Sequence, residues 1–127
     1  MDFVFDNNIP IYIQLVEQLK TYIVSGALAA GERLPSVREL AMMTKVNPNT
    51  VQKALGELEN LGLIYTERTN GKFVSCDSEK IYALRLEYAK NISAEYLAGM
   101  KKLGFSAEQA VIYLEDLGGE DFDTSGM

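Results

Sequence analysis

The sequence predicts a mainly α chain with a small β-hairpin: a winged helix-turn-helix followed by a C-terminal segment of two helices. Three observations predict it. Two helix-start signatures, Ser36 with Glu39 and Asn47 with Pro48, lie close together. Asn70-Gly71 then separates two short β-prone runs. After Cys76, a proline-free stretch keeps its apolar residues near one-turn spacing as far as Leu103.

The first helix is marked by Tyr12, Leu15, Val16, Leu19, Tyr22 and Ile23 at helical spacing, with Pro10 in its first turn and Gly26 beyond its end. A glycine-containing loop, Ala27 to Leu34, follows. Ser36 and Glu39 then form a capping box that opens a second helix with Val37, Leu40 and Ala41 on its inner face. The pattern breaks around Val46. Asn47 as N-cap and Pro48 at the first helical position start a third helix, which buries Val51, Ala54, Leu55, Leu58 and Leu61 and ends at Gly62. Leu63 to Arg68 and Lys72 to Ser75 read as strands, and Asn70-Gly71 suits the two φ > 0 positions of a type I′ turn.

The C-terminal part carries a seam of Ile81, Leu84, Tyr88, Ile92, Tyr96, Met100 and Leu103, interrupted at Gly104. Ser106 and Gln109 open a last helix with Ala110, Val111, Leu114 and Leu117 on its inner face, stopping at Gly118-Gly119. Two helices enclose no interior and are marginal alone, so the seam is expected to pack against a second copy as a dimer interface, the alternative being that it folds back on the head. The expected organisation is a head over residues 1–76, a helical dimerisation segment over 77–117 and a disordered tail over 118–127.

Composition narrows the function. The 127 residues, 47% hydrophobic and 24% charged, fit one small domain with an appendage and exclude a large multidomain enzyme. Histidine and Trp are absent and Cys76 is alone, so His-based acid–base work, His-ligated metals and an internal disulfide are not expected. No nucleophile sits beside a base and no Gly-rich phosphate loop occurs. Neither an enzyme nor a cofactor is expected. The longest uncharged run, the 11 residues between Lys20 and Glu32, is too short for a membrane span. With no export signal, the expected location is the cytoplasm.

Net charge is -6, which argues against a uniformly basic nucleic-acid coat, but the charge is uneven. Residues 1–32 carry -3, residues 33–72 carry +2 and the remainder carries -5. The basic third holds the helix-turn-helix. Subtracting the buried stripe of the third helix leaves Asn49, Thr50, Gln52 and Lys53 near its N-terminus, where amides suit adenine edges and Lys suits guanine or phosphate. Ser36 and Arg38 suit phosphate, with Lys45, Arg68 and Lys72 flanking the groove. Each feature alone also fits an ordinary helical domain. A winged-helix module that binds protein through its basic face is the competing function, although an uncharged polar tip suits base edges better than a protein hot spot.

Gly31-Glu32-Arg33-Leu34-Pro35-Ser36-Val37-Arg38-Glu39-Leu40-Ala41 and Val46-Asn47-Pro48-Asn49-Thr50-Val51-Gln52-Lys53-Ala54 resemble the DNA-binding head of GntR-type bacterial transcription regulators. Asn-Pro-Asn-Thr with a short helical C-terminal segment is similar to their YtrA subfamily. The resemblance implies a repressor that binds double-stranded DNA as a homodimer. It implies that Arg38 contacts phosphate or base, that Asn47, Asn49, Thr50 and Gln52 occupy reading positions, and that Arg68, Thr69 and Gly71 at the wing tip reach a minor groove or backbone. Pro48 and Gln52 stand where other branches place arginines, and Thr69 where the wing often has its first glycine. The C-terminal third is too short for the ligand-binding domains of most of that family. Tyr82, Tyr88 and Tyr96 leave room for a small-molecule effector without pointing to one.

Overall fold

The computed structural model describes residues 1–119. In order these form α1 (Ile11–Val24), α2 (Val37–Thr44), α3 (Pro48–Asn60), β1 (Ile64–Glu67), β2 (Gly71–Val74), α4 (Ser78–Lys102) and α5 (Ala107–Gly119). They fall into two compact units. The first is Met1–Arg85 and the second begins at Leu86, so the division lies inside α4 and not at Cys76.

In the first unit α3 is the central element, packed by α1, α2 and β1. Its stripe Val51, Ala54, Leu55 and Leu58 is fully buried, against Leu15, Leu19 and Ile23 of α1, Leu40 of α2 and Val74 of β2 in one core. The expected fifth member, Leu61, is 38% exposed. It is the C-cap residue, and Gly62 at φ +75° turns the chain away from the helical stripe.

The helix starts follow the caps. Ser36 and Glu39 form both bonds of the capping box: the Glu39 N–H donates to Ser36 Oγ at 3.1 Å and the Ser36 N–H donates to Glu39 Oε1 at 3.2 Å. Asn47 Oδ1 accepts from the Asn49 N–H at 2.8 Å, with Pro48 at the first helical position. Pro10 is the N-cap of α1, one position earlier than expected.

The hairpin turn differs from the type I′ reading. Glu67 pairs with Gly71, leaving Arg68, Thr69 and Asn70 as a three-residue loop. Only Gly71 has positive φ, at +102°, and the Asn70 N–H donates to the Glu67 carbonyl at 3.2 Å. This is a three-residue connection with glycine at the residue that re-enters the strand. The expected loop before α2 also adds to the wing. Arg33 bridges Phe73 in antiparallel sense, the Leu34 N–H donates to Lys72 O, and the Val74 N–H donates to Glu32 O, both at 2.8 Å.

An N-terminal arm lies along α1. The Val4 N–H donates to Gln18 Oε1 at 3.1 Å, and Gln18 Nε2 donates to the Val4 carbonyl at 2.7 Å. Gln14 makes the same pair with Asp6, both at 2.7 Å, and the Tyr22 hydroxyl exchanges bonds with the Asp2 main chain. The spacing explains the match, because four helical residues rise about 6 Å and two extended residues about 6.6 Å. Alternate residues Phe3 and Phe5 pack against the core.

Asp77 caps the start of α4, its Oδ1 accepting from the Lys80 N–H at 3.1 Å, four residues before the seam begins at Ile81. Ile81 and Leu84, expected at a dimer interface, pack against the core of the head. In the second unit the Tyr96 hydroxyl donates to the Ala110 carbonyl at 2.8 Å, Phe105 lies 6.3 Å from Tyr113, and Ser106 and Gln109 form the expected capping pair. Gly118 and Gly119, expected in the tail, are the last residues of α5; the rest of that tail, 120–127, lies outside the described residues.

Gln18→Ala removes two hydrogen bonds to one residue of the arm. It is expected to cost about 1 kcal/mol, the low end for exposed bonds, and to speed amide exchange at Val4 and Asp6. Thermal melting and hydrogen exchange check this; arm amides that exchange at the parent rate would contradict the pairing.

Candidate nucleic-acid interface

The candidate surface starts at the N-terminus of α3. With its buried stripe turned to the core, α3 leaves Asn47, Pro48, Asn49, Gln52 and Lys53 exposed and Thr50 half-buried. Asn47 Oδ1 is occupied by the cap, so its amide NH₂ is the part left to donate outward. Gln52 and Asn49 have no side-chain hydrogen bond to a described residue and present both donor and acceptor. That is the chemistry needed for a bidentate bond to a base edge. Lys53 is turned aside, its Nζ 4.5 Å from the centre of the Tyr12 ring on α1.

Cations stand on α2, at its C-terminal cap and in the wing loop. Arg38 on α2 lines a groove that also includes Pro48. Lys45 closes α2 in the left-handed conformation at φ 57°, the one non-glycine residue with positive φ among the described residues. Arg68 and Thr69 are exposed in the loop at the wing tip, next to Gly71. Among the described residues Arg38, Lys45 and Arg68 make no ion pair within 4.0 Å, whereas Lys72 is engaged. Its Nζ donates to Thr66 Oγ1 at 2.8 Å and lies 3.8 Å from Glu59 Oε1, while the Thr66 hydroxyl donates to the same carboxylate. Glu59 thus ties the wing to the end of α3 and gives Lys72 an acidic partner.

Ser36 is exposed, but its hydroxyl accepts from Glu39. The Ser36 backbone N–H foremost, then its hydroxyl and the Arg33 charge, hold the Glu39 carboxyl below its ordinary range. A depressed carboxylate supports the fold at neutral pH and loses that contribution as pH falls through the lowered value. The capping box is therefore intact wherever DNA binding is measured near neutrality.

Sequence reasoning missed Arg33. It is exposed, and a Cβ added to Gly71 would stand 3.2 Å from its Nε, so its guanidinium lies beside the wing tip. The strand that places it there has a single bridge, too short to leave a periodic signal.

A buried helix with an exposed, uncharged polar N-terminus, unpaired cations beside it and a hairpin wing define a winged helix-turn-helix DNA-binding protein. The family model "Bacterial regulatory proteins, gntR family" matches residues 11–74, which span the reading head from α1 to the end of β2. The chain belongs to that family. It is 40% identical over 108 residues to the HTH-type transcriptional repressor YtrA of Bacillus subtilis (strain 168), covering 85% of this chain and 78% of the relative. A GntR family transcriptional regulator from Listeria monocytogenes superposes with TM-score 0.80 at 40% identity, covering 88% of this chain and 98% of that one. AraR(DBD) in complex with operator ORX1 matches with TM-score 0.54 at 28% identity, over 59% of this chain and 96% of that one. The expected family, fold class and regulatory, DNA-binding character are therefore in place, and no described helix is long and apolar enough to cross a membrane.

Lys45 separates charge from stability. An L-residue in the left-handed region costs roughly 1 kcal/mol that glycine avoids. Lys45→Gly is expected to keep or slightly raise the melting temperature while weakening duplex binding through loss of an unpaired cation. Melting and DNA titration on the same preparation decide this, and a destabilised variant with unchanged affinity would contradict it.

Proposed function

We propose that the chain is a repressor that binds a palindromic operator in double-stranded DNA as a homodimer, in the cytoplasm, without catalytic activity. The observation that carries this reading is the exposed amide pair Asn49 and Gln52 at the N-terminus of a helix whose other face is wholly buried. Arg38, Lys45 and Arg68 hold the phosphate backbone, with Ser36 and Lys53 beside them. Thr69 and Gly71 carry the wing to the flanking groove, and Lys72 acts mainly as the wing's tie to Glu59. The repressor named YtrA and the operator complex of AraR(DBD) support both the direction of control and the kind of ligand.

Self-association rests on the second unit. Ala110 is its one fully buried residue among those described. Ile92 is 68% and Leu103 74% exposed, and Val111, Ile112, Tyr113 and Leu114 of α5 are each about half exposed. An apolar surface of this extent on so small a unit is covered by a second copy. The interface runs through Ile92 and Leu103 with the half-buried Tyr88, Tyr96 and Met100, and Ile81 and Leu84 belong to the head. Any small-molecule effector acts by shifting the placement of the two heads.

Selection of bound genomic fragments followed by titration tests the reading. Gln52→Ala is expected to lose about 1–3 kcal/mol on the selected operator and to relax preference at one base position per half-site. Arg38→Ala is expected to weaken selected and scrambled duplexes alike and to reduce the salt slope. A selected motif unchanged in Gln52→Ala would contradict the assignment of α3 as the reading helix.

A further inference from the structure

The head carries apolar surface beside the start of α3. Between α2 and the start of α3 runs an open groove lined by Val37, Arg38, Ala41, Met42, Val46 and Pro48. Val37, Ala41 and Val46 are half-buried, Pro48 is exposed and Met42 is 74% exposed. Val37, Ala41 and Val46 also pack against the core, so Met42 and Pro48 are the members that turn apolar surface to solvent. Pro48 lies between Asn47 and Asn49 at the first position of α3, and Arg38 stands one helical turn before Met42 on the same groove. The groove is thus continuous with the reading tip and shares a phosphate-binding cation with it.

Resting on the DNA-binding reading above, we propose that this groove takes the 5-methyl group of a thymine in each half-site, with Pro48 as the residue that reads it. Proline has no N–H and no side-chain polar atom, so it reads a base edge by apolar contact alone. On the major-groove edges of the four bases the thymine methyl is the one apolar group. Met42 adds a flexible, polarisable wall that adapts to it. A protein partner would favour aromatic anchors, and none lines the groove.

The test replaces each thymine of the selected operator, one at a time, with uracil, which deletes the methyl and keeps every hydrogen-bonding group. Removing one buried methyl is worth roughly fourfold in affinity, so uracil at one position is expected to weaken binding about fourfold per half-site. Pro48→Ser, which suits the first turn of a helix, is expected to bind the thymine and uracil operators equally. The proposal is overturned if every uracil operator binds within about twofold of its thymine parent while that parent still outbinds scrambled DNA; the DNA-binding reading then stands. It is also overturned if the uracil penalty persists undiminished in Pro48→Ser, because the methyl is then read elsewhere. Equal binding of selected and scrambled duplexes would remove both readings together.

Discussion

The structure depends on the two-sidedness of α3. Val51, Ala54, Leu55 and Leu58 reach zero exposure in the centre of the head, while Asn49 and Gln52 on the same thirteen-residue helix stay in solvent. A helix fixed on one side by α1, α2 and β1 has little freedom to roll, so its free face becomes a rigid template. The Asn47 cap and Pro48 fix where that helix begins. Glu59 fixes where the wing stands relative to its other end, by accepting from Thr66 and pairing with Lys72. Recognition geometry is therefore a by-product of core packing and two polar ties.

Electrostatics then decide how an acidic chain approaches a polyanion. The net charge of -6 is distributed so that the segment 33–72 is the one with positive sign. Within it, among the described residues, Lys72 is held by Glu59, Lys53 lies over the Tyr12 ring and the Arg33 charge acts on Glu39, which leaves Arg38, Lys45 and Arg68 without an ion-pair or ring partner. These stand on α2, at its C-terminal cap and in the wing-tip loop. Screening confines the influence of acids elsewhere to roughly a Debye length, about 8 Å at physiological salt.

Most of the head was legible because its signals are local. Ser36 with Glu39, Asn47 with Pro48, and Gly62 act within one turn of helix, and each stands where the sequence placed it. What escaped depends on partners distant in sequence or on runs too short for a period. The bridge of Arg33 to Phe73 is one residue pair, so Ala27 to Leu34 read as a loop. The arm along Gln14, Gln18 and Tyr22 is held by side chains bonding main chain, which leaves no hydrophobic pattern of its own. Asn70-Gly71 suggested a two-residue turn, yet the pairing of Glu67 with Gly71 chose a longer one. The seam was legible as an apolar stripe, but its period does not say which part meets the head, and Ile81 and Leu84 do. Of the candidate site residues, Lys53 and Lys72 follow from residue type alone, and the structure adds the partners that already engage them.

The central claim is that two such heads, joined through the second unit, read one face of an operator. Hydroxyl-radical footprinting of the intact chain on its selected fragment tests it most directly. Two heads in successive major grooves are expected to give two symmetric protected patches centred about 34 Å, or one helical turn, apart, appearing together as protein is added. A single protected patch, or two that fill independently, would contradict the account.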